Sequence, residues 1–327
     1  MNDPVPELVI VIPVRNDARR LQMCLEAIRA NDLDARVSVI VADNGSTDDP
    51  ATIATTAGAS VVSLPGYRVS EVRNIAARES SAPLIGFVDA DHLVDRGWIG
   101  TALDIFRDST VAAAGAPYAA APGANWIQRA YHRFRSDLSA ARPTDWLGSG
   151  NLLIRRDAFE RIGGFDARLQ SCEDVDLCNR LRRAGYRLVA DPRLRSVHLG
   201  DPATLRALFF GELWRGRDNI RVTLRGPLTL RALPSVVIPI VELVSLAVML
   251  GAVWAGAWIA AAAAALVIAG LTGLRAIRMS VGRRLTLADL AANIVVAGVY
   301  DLGRAFSLIA RASHRTRRDT AGERAIA

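Results

Sequence analysis

Two carboxylates, Asp89 and Asp91, stand one residue apart at the end of the run LIGFVDAD, Leu84 to Asp91. Two acidic side chains so close can hold a hard divalent cation, and the cation can in turn hold phosphates. The run before them is apolar or small throughout, as in a strand buried on both faces. Carboxylates at the C-terminal end of such a strand would lie on the rim where open α/β sheets bind ligands. A strand ending in a solvated acidic turn explains the same residues, because Asp is a common turn former. A second acidic pair, Glu173-Asp174, opens a helical stretch, where acids also suit the helix dipole.

The surrounding elements decide how these residues are placed. LVIVIPV (Leu8 to Val14) reads as a buried strand, and Asp17 can cap a helix from about Ala18 to Ala30. VSVIVAD (Val37 to Asp43) is a second strand, closed by the turn cluster NGSTDD. A short helix, a strand over ASVVSL (Ala59 to Leu64) and a helix between Ser70 and Ser80 carrying Arg73 and Asn74 precede LIGFVDAD. Strands alternating with helices predict an α/β fold with a doubly wound, mostly parallel sheet. Ala112 to Arg142 reads as irregular, and a connection that long is often functional. WLGSGNLLIRR (Trp146 to Arg156) is strand-like, with Gly148 and Gly150 allowing close approach of a ligand or another backbone. A helix from Glu173 stops at Gly185, and a last strand ends near His198.

The chain has 327 residues and a net charge of +7, and every basic residue other than histidine is arginine. Arginine suits phosphate and anionic lipid, because its planar fork binds oxyanions bidentately. The three cysteines have no metal-site spacing and fit a reducing compartment. The N-terminus lacks the basic and long apolar regions of a signal peptide. Mean hydropathy is +0.20, and the apolar excess lies towards the C-terminus. From Leu205, Phe209, Phe210 and Trp214 mix with Arg206, Arg215, Arg217, Arg221 and Arg225, as in a helix lying in a membrane interface. Pro234 to Leu274 then fits two tightly linked spans, 234–253 and 256–274, or one long kinked span. Arginines flank both ends, so both flanks are expected in the cytoplasm, with an even number of crossings. Leu285 to Ala310 is interrupted by Asp289, Asn293, Asp301 and Arg304 and reads as an amphipathic interfacial helix or a third span. The expected organisation is a catalytic domain over 1–204, an interfacial segment over 205–233, two spans within 234–274, a basic loop and further helix over 275–310, and a basic disordered tail over 311–327. The arginines crowd the membrane-flanking segments and form no groove-sized patch, so nucleic acid is not an expected partner.

IPVRND, VADNGSTDD, SEVRNIAARESSAPLIGFVDAD, GSGNLLIRRDAFERIGGFD and EDVDLCNRLRRAG occur in this order. The ordered set resembles the family 2 glycosyltransferases of GT-A fold, over about residues 7–200. The resemblance implies a Rossmann-like domain, a nucleotide-sugar donor linked to UDP or GDP, a divalent cation (Mn2+ or Mg2+), and inversion at the anomeric carbon. It implies Asp91, with Asp89 and His198, at the metal, and Asp89 alternatively at the donor ribose. It places Pro13, Arg15, Asn16, Asp43, Asn44 and Arg73 around the donor; Asp-Asn stands here where many relatives have Asp-Asp. It makes Asp174 the base, its pKa raised by burial and by Glu173 beside it. Trp146, Gly150, Glu173, Trp214 and Arg215 are the candidates for the acceptor side. Trp214-Arg215 only loosely resembles the Q-x-x-R-W element of processive members, so processive synthesis is not expected.

The reading that follows is a membrane-anchored, non-processive transferase. It would move a sugar to a lipid-linked or other saccharide acceptor at the cytoplasmic face of the cytoplasmic membrane, in contact with membrane lipids. A non-catalytic scaffold that keeps the fold and a nucleotidyltransferase are the alternatives. The first loop lacks the Gly-rich, basic signature that would cradle a triphosphate. If Asp91 holds the cation, Asp91→Ala abolishes metal-dependent turnover, measured as released nucleoside diphosphate; undiminished transfer refutes the assignment.

Overall fold

The computed structural model describes residues 6–31, 36–134, 138–227 and 232–322, those after 310 as backbone only. The chain forms two compact units, residues 1–122 with 135–200, and residues 123–134 with 201–327.

In the first unit β1 (Leu8–Val14), α1 (Ala18–Arg29), β2 (Val37–Asp43), α2 (Pro50–Thr56), β3 (Ser60–Ser63), α3 (Val69–Arg78) and β4 (Leu84–Val88) follow one another. Then come β5 (His92–Val94), α4 (Trp98–Ile105), β6 (Val111–Gly115) and β7 (Ala119–Ala120). The chain passes through α5 (Trp126–His132) of the second unit. It returns with β8 (Arg142–Pro143), β9 (Asn151–Arg155), α6 (Arg156–Arg161), α7 (Glu173–Arg183), β10 (Arg187–Ala190) and β11 (Ser196–His198).

The main sheet has the order β3-β2-β1-β4-β9-β6-β10-β8, and β5-β11-β7 form a second, small sheet. The chain moves outward from β1 to β3 and then crosses back to place β4 on the other side of β1. The turns after β1 and β4 therefore open at one switch point, where such sheets form their ligand crevice. Side chains of β1 alternate between two cores. Leu8, Ile10 and Ile12 pack with Leu21, Ala54 and Trp98, while Val9 and Val11 pack with Val72, Ala158 and Leu177. Apolar residues on both faces are what make β1 a continuous hydrophobic run. The α1 helix is held by the recurrence of Leu21, Cys24, Leu25 and Ile28 on one buried face.

The sheet is mostly parallel, as expected, but β9 runs antiparallel between β4 and β6. This inserted strand brings Gly150 and Asn151 against the end of β4. Trp98, fully buried, donates from Nε1 to Asn151 Oδ1 at 2.9 Å. Asn151 Nδ2 donates onward to Leu194 O at 2.7 Å. Gly86 leaves room for the indole, since a Cβ there would stand 3.3 Å from Trp98 Cη2. The stretch expected to be irregular contains β7, α5 and most of β6. The α5 helix starts in a capping box, Asn125 accepting from the Ile127 and Gln128 amides and Gln128 answering at Asn125 N.

The second unit holds α8 (Leu205–Arg215), α9 (Asn219–Arg225), α10 (Pro234–Trp254), α11 (Trp258–Ser280) and α12 (Leu287–Gly322) besides α5. Among the described residues three segments, Pro234–Trp254, Trp258–Ser280 and Leu287–Ala310, are long and apolar enough to cross a membrane. The first two are separate helices, broken around Gly256, whose φ of +69° suits a residue without a side chain. The segment read as an amphipathic or third membrane helix also meets the length and apolarity of a span. Backbone helix continues from it into the basic tail, and residues 323–327 of that tail lie outside the described residues.

Trp98→Ala removes a filled core position and orphans the side-chain oxygen Oδ1 of Asn151. It should destabilise the first unit by about 3–5 kcal/mol, read as a lowered denaturation midpoint, with Trp98→Phe losing clearly less.

Candidate functional site

The site forms at the switch point, on turns that follow β1, β2 and β4, with contributions from the starts of β9 and α7 and the end of β11. Asp91, His92 and His198 each offer one ligand atom, and these atoms lie within 4.8 Å of one another. The 3.2 Å contact between Asp91 Oδ2 and His198 Nε2 joins the turn after β4 to the end of β11. The same turn is tied by the Leu199 amide, which donates to Asp91 O at 2.9 Å. His92 is buried, its Nδ1 lying 3.0 Å from Ser196 Oγ. The rings of His92, His198 and Tyr118 meet one another at centroid separations of 4.7–4.9 Å. Burial opposes the Asp91 charge, but His198, His92 and Arg20 overcome it and hold the carboxyl down at about 2. An ionised carboxylate with two imidazoles is a donor set that fits a divalent cation. Two glycines make the closeness feasible. A Cβ at Gly150 would come within 2.8 Å of Asp89 Oδ2 and of His92 Nε2, and one at Gly200 would overlap the Asp91 carboxylate.

The second feature is a buried cation between two acids. Arg73, 3% exposed, donates from Nη1 to Glu173 Oε1 at 2.8 Å and from Nη2 to Asp89 Oδ1 at 2.6 Å. Asp89 Oδ1 is thereby directed to the arginine, and Asp91, His92 and His198 form the group whose atoms could hold a metal ion. Glu173 also receives the Ser149 hydroxyl at 3.5 Å. Asp174, next along α7, accepts from the Val175 amide at 2.8 Å. Burial first, and then the Glu173 charge, push its carboxyl up to about 7, against the pull of the Val175 amide, Arg73 and the Ser149 amide. Acid groups moved in opposite directions within one site are the pattern of divided acid and base roles. Cys172, just before this pair, holds a left-handed φ of +59° that turns the chain into α7.

The donor-side residues expected on the first two strand ends do converge. Val14 and Asp43 are paired across β1 and β2. Asn16 has a φ of +52°, and its Oδ1 accepts from the Thr47 amide at 2.8 Å. Asp43 Oδ1 accepts from the Ser46 amide at 3.0 Å. Asn44 donates to Tyr67 O at 2.8 Å and accepts from Gly66 N at 3.0 Å, so its amide organises the loop. Pro13 closes β1 and Arg15 is exposed on the turn after it. On the acceptor side, Trp146 is half exposed and Gly150 backs Asp89. Trp214 and Arg215 belong to the second unit, where Arg215 Nη1 meets Glu212 Oε1 at 3.0 Å. His92 was not among the expected ligands. Its signal was its position immediately after Asp91, in the string DADH.

The model for glycosyl transferase family 2 matches residues 9–163. A pre-mycofactocin glycosyltransferase of Mycobacterium tuberculosis is 30% identical over 208 residues, 59% of this chain and 42% of that protein. An N-acetylglucosaminyl-diphospho-decaprenol L-rhamnosyltransferase of the same species is 39% identical over 119 residues, 32% of this chain and 38% of that protein. The chain thus spans less than half the length of either relative. Among solved structures, the mannosyltransferase PcManGT of Pyrobaculum calidifontis, held with GDP-Man and Mn2+, superposes with a TM-score of 0.62 at 17% identity, over 93% of this chain and 88% of that one. That likeness is one of fold. Taken with an uncharacterized glycosyltransferase of Mycobacterium tuberculosis that is 30% identical over 197 residues, 56% of this chain and 82% of that protein, the match to the family model shows that the chain belongs to glycosyl transferase family 2.

Proposed function

We propose that this glycosyltransferase moves a sugar from a UDP- or GDP-linked donor to a lipid-linked acceptor, with inversion, at the cytoplasmic face of the cytoplasmic membrane. The observation that carries the reading is one site holding a carboxyl poised near neutrality, Asp174, and a separate metal-ligand cluster at Asp91, His92 and His198. A scaffold would have no need to keep the two kinds of acid apart.

Asp91, His92 and His198 would hold a divalent cation, Mn2+ or Mg2+, whose charge would offset that developing on the diphosphate. The donor would lie over the turns bearing Arg15, Asn16 and Asp43, with Asp89 turned to the ribose and held by Arg73. Asp174 takes the proton of an acceptor hydroxyl. The acceptor oxygen then bonds to the anomeric carbon on the face opposite the diphosphate. The old carbon–oxygen bond breaks, the nucleoside diphosphate leaves with its electron pair, and configuration inverts. Three apolar helices and the aromatic, arginine-bearing α8 and α9 favour an acceptor presented at a membrane. The lipid-linked saccharide named for the rhamnosyltransferase relative points the same way.

The direct test is a screen of nucleotide-sugar donors with membrane extract as acceptor, read as released nucleoside diphosphate, and repeated with soluble sugars. Asp174→Asn should lower kcat by roughly 10²–10⁴-fold. A base must be deprotonated to act, so kcat should fall as pH drops through about 7, the value to which Asp174 is raised. Glu173→Gln removes the like charge and should move that limb to lower pH. A limb that stays in place or moves upward would sink the assignment.

A further inference from the structure

The turn between β8 and β9 is pinned on both sides of one exposed aromatic residue. β8 pairs with β10, and the Thr144 amide donates to Leu188 O at 3.1 Å. Asp145 Oδ1 meets Arg182 Nη2 of α7 at 2.8 Å. Thr144 Oγ1 donates to Trp146 O at 3.1 Å and accepts from the Trp146 amide at 3.5 Å. Leu147 is buried, and its carbonyl accepts from Cys178 Sγ at 3.7 Å. Between these fixed residues the Trp146 side chain remains 49% exposed.

Gly148, two residues on, shows what the ring borders. A methyl group at Gly148 would lie 3.7 Å from Trp146 Cζ2 and 4.0 Å from Asp174 Oδ2. The rim of the indole and the carboxyl of the base thus flank one point of backbone, and the glycine keeps the space between them open. A flat apolar face beside a proton acceptor matches a pyranose, which has a face of C–H groups and an edge of hydroxyls. Aromatic rings offer such a face at little cost in side-chain freedom. Asp174 meets the acceptor in the transferase reading, and the metal cluster meets the donor, so a ring stacked on Trp146 belongs to the acceptor.

We propose that Trp146 is the platform on which a sugar ring of the acceptor stacks, so that Asp174 deprotonates a saccharide hydroxyl and not a bare lipid phosphate. This rests on the function proposed above, and the experiment separates the two. Full-length wild type, Trp146→Ala and Trp146→Phe would be assayed with the donor found by the screen. The two acceptor probes are a polyprenyl monophosphate and a polyprenyl-diphospho-N-acetylglucosamine. Trp146→Ala should raise the KM of the sugar-bearing probe by about tenfold, with donor KM moving by less than about twofold. Trp146→Phe should recover most of the loss, which separates lost stacking from misfolding. An acceptor KM that does not change, a donor KM that rises in its place, or wild-type preference for the bare monophosphate overturns the inference. Absence of released nucleoside diphosphate from every donor with wild type overturns the transferase reading itself.

Discussion

The site of the first unit depends on one buried guanidinium. Arg73 sits on α3 and reaches the residue after β4 and the first residue of α7, which lie 16 and 100 positions away in sequence. Removing an ion from water costs several kcal/mol, so a buried arginine persists only where both arms of its fork are engaged. Phe165 lies 5.6 Å from the guanidinium carbon. Lysine could not replace it, because a point charge cannot address two carboxylates in fixed directions. Without this cation, Asp89 and Glu173 would add two uncompensated charges to a site that already holds Asp91 and Asp174. With it, the four acids separate into roles. Asp89 and Glu173 share the single charge of the arginine, Asp91 is held as an anion beside His198 and His92, and Asp174 is left where burial and the Glu173 charge favour its proton.

Much of this was legible in the sequence because the physics is local. Leu8 to Val14 and Leu84 to Val88 are apolar without interruption, so their burial on both faces and their place in a parallel sheet could be read directly. Asp43, Asp89 and Asp91 announce strand ends by the abrupt change from apolar to acidic. The antiparallel entry of β9 was not legible, because it pairs with β4 across more than sixty residues of intervening chain. Nothing in NLLIR states its direction. The place of His92 beside Asp91 and His198 was not legible for a related reason. His92 begins a strand of three residues, too short for any periodicity, and its contacts to Ser196 and Tyr118 are made across a second small sheet. Asp89 stands beside Asp91 in the chain, and in space its Oδ1 meets Arg73, a contact that no local pattern announces.

The second unit shows a different limit. Beside its apolar cluster of Ile127, Leu208, Met279 and Val296, its interior also holds buried charged and polar side chains. Glu212 is fully buried, yet Tyr131 Oη donates to it at 2.8 Å and Arg304 and Arg215 pair with it at 2.7 and 3.0 Å. Burial raises that carboxyl, and the arginines and the tyrosine hydroxyl more than reverse the effect, so it stays ionised below its ordinary range. Arg275 Nε meets Asp301 Oδ1 at 2.6 Å, and Asn293 is shared between Arg133 and Ser280.

The same residues explain why α12 read as an amphipathic helix at a membrane surface. Its sequence does carry a polar stripe and an apolar stripe. A stripe says that two environments differ; it does not say which of them is water. Here Asn293 and Asp301 are at most 2% exposed, while Leu287, Ile294, Val295 and Ile309 are between 43% and 85% exposed. The polar stripe is therefore consumed by protein partners, on the side facing α5, α8 and α11, and the apolar stripe is left outward. In water that arrangement would expose its most costly surface and hide its most soluble one. Against hydrocarbon it has no such penalty, since buried polar pairs are what tie such helices together and outward aliphatic side chains match the lipid. The polarity of α12 is thus directed at its own fold, and it gives no reason to exclude the helix from the apolar bundle formed with α10 and α11.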